Sequence, residues 1–482
     1  MPFEFVNNNA SIDRVARSRI RSHVAIGRNV GKTIVRPSRK RMNELRVKAP
    51  IALILKAEKV AHDLENKQDV VPEIERQVGD GLSVFTFPEH VMPASKGLLQ
   101  RAFSLFSGPL HAPELTYAID ATECRTTIWV QLMFQDEAYF HCALAVSLVA
   151  LNKLVMKQED PTEAIHHQSR TLRLINERLS GQDAVSDTNI AVVVALTQYD
   201  RLRGNYYNSL AHIQGLQRMI ELRGGISKLA HSKPGITQKI FRADLEYSIQ
   251  LGSATQFSIA DVILGITSIS GIPKSTKHDR QKIPRIFRCQ GDVQFSAELL
   301  DLLIDITDFA WHLNDSSAEQ RPKLKFYAFH DIILLLGYRF IHISPLGRPC
   351  LTSCLENALH LGLGAFIMTF LGGIDRKIAD APLLSELARS AAQGEFNDTP
   401  ESQEVLLWIL FIGAASIFKQ ADDIWLIPKT AHTIHVLGLC TWEDVAEKLA
   451  RFPWVDALHS KVGQALWYKS TCCYKFIAVP SE

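Results

Sequence analysis

The sequence predicts an all-α protein, and three observations carry that reading. Apolar residues recur at three- and four-residue steps through most of the chain beyond residue 96. Glycine or proline closes these periodic stretches. No segment sustains the alternation of a half-buried strand, and no Asn-Gly turn joins two such runs. The 482 residues, 46% of them hydrophobic, suffice for about two to four domains and exclude disorder as the main state.

Residues 1–48 are set apart by charge. They hold twelve Lys/Arg and three Asp/Glu, a local +9, which leaves 41 against 48, or −7, in the rest of a chain whose net charge is +2. Phe3 and Phe5 are the arm's only aromatics. The expectation is a mobile basic arm with a short helix around Ile12 to Val24. Residues 49–95 read as a helix and a linker, with Pro50 in a first turn and Gly79 to Pro93 as punctuation.

Residues 96–270 read as a first helical half. Over 163–180, Ile165, Leu172, Ile175 and Leu179 are expected on the buried face, with Arg170, Arg173, Glu177 and Arg178 opposite. Ser180-Gly181 ends that helix. Ser186 offers an N-cap to the apolar IAVVVAL run, a core helix that stops at Gly204. Leu210, Ile213, Leu216 and Ile220 define the next helix. Gly224-Gly225 is its left-handed stop, and Arg218 and Arg223 suit its negative end.

After a linker at 271–297, residues 298–482 read as a second half. Leu299, Leu302, Leu303, Ile306, Phe309 and Leu313 line one face of a helix, and Asp301, Asp305 and Asp308 share its outer face. A helix over 355–371 ends at Gly372-Gly373. Residues 271–292 and 372–404 read as mobile connections. Val405 to Phe418 is an uncharged run of 14 residues, short of the roughly 18 that suggest a membrane span, and reads as a buried helix. Thr441 and Asp444 form a capping-box pattern ahead of Val445 and Leu449, with Pro453 beyond.

Templates for chemistry are not met. A Walker loop and a GxSxG elbow are missing from the sequence. Gly362 and Gly364 lie in a helical pattern, where close packing is expected. Asp422-Asp423 lacks the third acid of the aspartate-rich magnesium sites of terpene synthases. Cys350 with Cys354, and His435 with Cys440, are each too few for a closed zinc site. His166 and His167 read as surface, and His141 as a satisfied core histidine. The eight cysteines, with no CxxC, read as mostly free buried thiols in a reducing compartment. The start MPFEFVNNN lacks a secretory pattern, so an intracellular chain is expected. The arm's run Arg36-Pro-Ser-Arg-Lys-Arg41 packs four positive charges around a proline. Arg36, Arg39, Lys40 and Arg41 are the candidate site residues, for nuclear import or for contact with nucleic-acid phosphates, the alternative being a solubilising arm.

Several segments then carry a resemblance. They are Phe5-Val6-Asn7 with Arg21-Ser22-His23-Val24, the FQDEAYFH stretch from Phe134 to His141, and SDTNIAVVVAL from Ser186 with Gly204-Asn205. HIQGLQRMIELRGG from His212, Leu407-Trp408 through Ser416, Trp425 to Pro428, and Thr441 to Val445 complete the set. In this order they resemble the regulatory region of the fungal-specific transcription factors across most of residues 3–470. The resemblance implies an α-helical, nuclear, regulatory and non-catalytic region, with Trp408, Trp425 and Trp442 as large buried side chains. There are two departures. Family members that bind DNA directly carry an N-terminal binuclear zinc cluster of six cysteines, whereas the first cysteine here is Cys124, so zinc-dependent base reading does not carry over. Phe241 stands where a Trp is expected before Asp244-Leu245.

The expectation is a nuclear transcription regulator with no cofactor. It acts through its helical body on other regulators or coregulators, or on a small effector. Salt-sensitive DNA contact through residues 1–48, a homo- or heterodimer and no membrane association complete it. The alternatives are a coregulator scaffold without DNA contact, and an all-α enzyme with a cryptic acidic site at Asp301, Asp305 and Asp308.

Overall fold

A computed structural model describes residues 112–122, 128–154, 162–266, 295–318, 321–348, 350–351, 353–371, 381–397 and 399–477. The expectations for residues 1–95, for 271–292 and for Gly372-Gly373 lie outside them. Sixteen α-helices occur among the described residues. The first eight are α1 (Ile128–Gln135), α2 (Glu137–Leu154), α3 (Thr162–Leu179), α4 (Asp187–Arg203), α5 (Tyr206–Arg223), α6 (Ile226–Ser232), α7 (Pro234–Leu251) and α8 (Ile259–Gly265). The others are α9 (Ala297–Ser317), α10 (Phe326–Ile343), α11 (Cys354–Leu371), α12 (Pro382–Gln393), α13 (Pro400–Ser416), α14 (Asp423–Val436), α15 (Trp442–Leu449) and α16 (Asp456–Ile477). Strands β1 (Ile119–Asp120) and β2 (Leu324–Lys325) pair in parallel. At two residues each they are too short for alternation to register. The fold is all-α.

Local signals explain several of the helix ends. Ser186 accepts a hydrogen bond from the Asn189 amide at 3.3 Å and so caps α4. Every residue from Ile190 to Leu196 is buried, as an all-round apolar helix requires. At the end of α5, Gly224 sits at φ 101°, a conformation that costs other residues a Cβ clash. Thr441 and Asp444 form the reciprocal capping box at the start of α15.

The α2–α3 pair departs from expectation. Ile165 is 45% and Leu179 40% exposed, and the buried stripe is Ala164, Thr171 and Ile175. The reason is electrostatic. Arg170 donates to Glu137 at 2.5 Å and Arg178 to Asp136 at 2.7 Å, so the acids that open α2 draw the arginine side of α3 inward. Residues 382–393, expected in a mobile connection, form α12 with Leu384, Ala388 and Ala392 buried at four-residue steps. Asp308 is buried rather than on an outer face.

One hydrophobic core runs from Leu115 to Leu466, with a smaller cluster around Val149 and Tyr199. Helix α7 packs on α4 and α5 as well as on α10 and α12. Helices α10 and α11 are long and apolar enough to cross a membrane, yet 67% and 89% of these windows are buried inside the protein. They are read as core helices. The two glycines of α11 permit close approach: a Cβ on Gly362 would lie 2.5 Å from Trp408, and one on Gly364 2.5 Å from Phe340. Within α13, Val405 to Ile412 are all buried. Trp408 stacks on Phe452 with centroids 5.4 Å apart and donates its indole N–H to the Pro453 carbonyl at 3.0 Å. Trp425 and Trp442, expected to be buried, are only partly so.

Candidate functional site

The N-terminal halves of α7 and α10 meet beside α1 and the last turn of α11, and they leave a cleft there. Pro234 opens α7 at a position where its missing N–H costs nothing. Gly235, Gln238, Lys239 and Arg242 then line one wall of the cleft. Helix α10 supplies Phe326, Tyr327 and His330, and Trp129 and Phe370 close the sides. The cleft is open to solvent, and its free volume is about 40 Å³. At roughly 10–15 Å³ per water, it has room for about three.

Hydrogen bonds fix the polar side chains. Gln238 donates to the Tyr327 carbonyl at 3.0 Å and to the Asp331 carboxylate at 2.5 Å, which ties α7 to α10. The Arg242 guanidinium donates to the Leu371 carbonyl, at the end of α11, at 2.5 Å. It also donates to Glu246 at 2.8 Å, and Arg201 of α4 reaches the other oxygen of the same carboxylate at 3.1 Å. Burial works against the charge on Glu246. Arg201 and Arg242, with Lys239 further off, overcome that cost and hold the carboxyl below its usual range. One buried carboxylate therefore joins α4 and α7, and Arg242 extends the link to α11.

Behind this network, Asp244 accepts the amides of Gln256 and Phe257 at 2.9 and 3.0 Å and the Tyr338 hydroxyl at 2.7 Å. Burial outweighs these bonds and pushes its carboxyl up to about 6. Phe241, noted in the sequence as a departure, packs edge-on against Phe257 and Tyr338 at 5.6 and 5.8 Å. The site around Asp244 is thus completed by an aromatic at position 241.

The structure does not gather the other sequence candidates into a chemical centre. Asp301 is exposed, Asp305 pairs with Arg339, and Asp308 is buried, so the three acids of α9 do not present one shared face. Asp422 accepts from the Lys419 amide and the Trp425 indole and pairs with Arg389, while Asp423 pairs with Lys469. Of the free cysteines described, Cys142 is buried, whereas Cys350, Cys354, Cys440 and Cys472 are exposed, against the expectation of buried thiols. Among the described residues no three His, Cys, Asp or Glu side chains converge as metal ligands. His166 is exposed as expected. His167 is half-buried rather than exposed: its Nδ1 lies 2.7 Å from that of buried His141. Arg36, Arg39, Lys40 and Arg41 lie outside the described residues.

The FQDEAYFH and Ser186–Gly225 segments thus have defined structural roles, the first in the α1–α2 junction and its ion pairs with α3, the second in the capped α4–α5 pair. Both fall in one matched stretch. Residues 125–325 match the fungal specific transcription factor domain. The resemblance read from the sequence is borne out over these residues, which hold α1 to α9 and the cleft wall from α7. The similar segments from Leu407 to Val445 lie beyond the match. No curated protein and no solved structure matches the chain.

Proposed function

We propose that the protein is a nuclear, non-enzymatic transcription regulator of the fungal type that works through its helical body on other regulators, on coregulators or on a small effector. The observation that carries this reading is the domain match over residues 125–325. The buried Glu246 junction supports it, because a contact made at α4, α7 or α11 alters the same ion-pair network.

Delivery to the nucleus is assigned to Arg36, Arg39, Lys40 and Arg41, on the charge of the RPSRKR run. The test is the location of a tagged full chain. Nuclear accumulation that is lost when Arg39, Lys40 and Arg41 are changed to Ala supports the assignment. A wild-type chain that stays cytosolic overturns it.

The local +9 of residues 1–48 favours a second use of the arm, contact with DNA phosphates. Anisotropy of random duplex DNA is expected to report binding that weakens steeply with salt. Deleting residues 1–48 is expected to abolish it. Absence of binding at low salt leaves the arm as an import address alone.

A further inference from the structure

We propose that the His141–His167 pair is a proton-operated latch, which holds α3 on α2 at neutral pH and releases it in mild acid. The inference goes beyond the regulatory reading and does not rest on it.

The contact limits protonation. The two Nδ1 atoms lie 2.7 Å apart, with the ring centroids 5.0 Å apart and the ring planes inclined by 31°. At that separation one hydrogen fits between the nitrogens: one Nδ1–H donates and the other Nδ1 accepts. The docked pair therefore holds no extra proton or one. A second would set two N–H groups head to head and place two positive charges in contact, one of them on buried His141. It enters only when the rings part.

The surroundings offer the second charge little. Glu137, one turn before His141 on α2, pairs with Arg170, one turn after His167 on α3. Asp136 pairs with Arg178. His166 is exposed beside His167, with ring centroids 6.2 Å apart. From α4, Asp200 pairs with His212 at 3.2 Å. Burial and Asp200 push the Cys142 thiol up, so it stays protonated and uncharged. Helix α1 carries no charged residue. Each of these carboxylates is already engaged, and a second positive charge on the pair would compete for one of them.

Helix α3 is the element set free. It buries Ala164, Thr171 and Ile175, whereas α4 buries every residue from Ile190 to Leu196. With so little apolar burial, a helix opens more readily than the core around it. Its hold on α2 runs along a polar ladder of Arg178 with Asp136, Arg170 with Glu137 and His167 with His141. Below the ordinary imidazole value of about 6.5, the opened pair binds two protons and the docked pair at most one. Docking therefore weakens as pH falls, and the opening constant rises by up to about tenfold per pH unit.

Hydrogen exchange of the full chain tests the latch, followed by mass spectrometry at pH 7.5, 6.5 and 5 and normalised to the intrinsic rate at each pH. Protection of residues 162–179 is expected to fall about tenfold between pH 6.5 and 5, while that of α4 holds. His167→Gln is expected to abolish the fall, because an amide side chain donates to or accepts from the His141 Nδ1 and takes up no proton. His141→Gln, the same change from the other side, is expected to act alike, and His166→Gln to keep the fall. All three variants retain the ion pairs of Asp136 and Glu137, so acid weakening of those pairs cannot imitate the result. Protection of α3 that does not change with pH in the wild type, a fall that persists in either Gln variant of the pair, or an equal fall in α4 would each overturn the proposal.

Discussion

The Tyr338 hydroxyl donates to the Asp244 carboxylate at 2.7 Å, between two side chains that are both inside the core. The bond crosses from α10 to α7, and Asp244 in turn holds the amides of residues 256 and 257. Three separate segments therefore depend on one acceptor. Tyr338→Phe keeps the ring and removes the donor. A loss of about 2 kcal/mol is expected, typical of a bond to a charged group, and is read from urea unfolding midpoints at constant slope. An unchanged midpoint would show that the bond contributes nothing net.

Two buried groups give pH dependences of opposite sign. Asp244 titrates at about 6 in the folded chain against 3.8 ordinarily, so the folded state binds more protons between these values and stability falls as pH rises through 6. His360, buried and bonded through Nε2 to the Phe340 carbonyl at 2.9 Å, is pushed down by burial to about 4 from 6.5. Its contribution is present above pH 6.5 and is lost as pH falls toward 4. Each effect is of order 3 kcal/mol at one pKa unit per 1.36 kcal/mol, and the two largely cancel between pH 4 and 6. Asp244→Asn should unmask a rise in stability with pH, and His360→Gln a fall, when each is compared with wild type by denaturation at pH 4.5, 6 and 7.5. Parallel pH profiles for all three proteins would contradict both assignments.

Glycines on two helices should respond in opposite directions to alanine. Gly362→Ala drives a methyl toward Trp408, with 2.5 Å available, and overpacking of that kind costs about 1–3 kcal/mol. Gly215, in the middle of α5, has nothing within 4 Å of an added Cβ. Alanine there is expected to stabilise by about 0.5–1 kcal/mol through helix propensity. Thermal unfolding of the two variants checks both signs.

Glu246→Gln removes the charge that Arg201 and Arg242 share. Two partly buried guanidinium groups lose their counter-charge, and a loss of about 3–5 kcal/mol is expected. Reversal by adding Arg201→Met would show that the cost lies in the uncompensated cation. A single variant as stable as wild type would remove the ion-pair junction from the account.

Much of the fold was legible because many helices carry one apolar face and a local stop. Ser186, Gly224 and Thr441 mark boundaries that the structure reproduces. Faces decided by distant partners were not legible. Nothing within residues 162–179 shows that Asp136 and Glu137 will draw Arg178 and Arg170 inward and leave Ile165 and Leu179 at the surface. Asp308 misled for a related reason: its spacing matches an outer face, yet it lies buried. The cleft was hidden more completely, since Trp129, Lys239, Phe326 and Phe370 come from four separated segments with no shared motif. One signal was available. Arg242, Asp244 and Glu246 interrupt an otherwise uncharged run from Ile240 to Ile249, and charges inside such a buried run call for buried partners.

The central claim is that the helical body regulates transcription. The direct measurement fuses the full chain to an unrelated DNA-binding module and reads a reporter that carries the module's site. Reporter transcription that differs severalfold from the module alone, in either direction, is the expected result. A fusion that occupies the site and leaves transcription at the level of the module alone would contradict the claim.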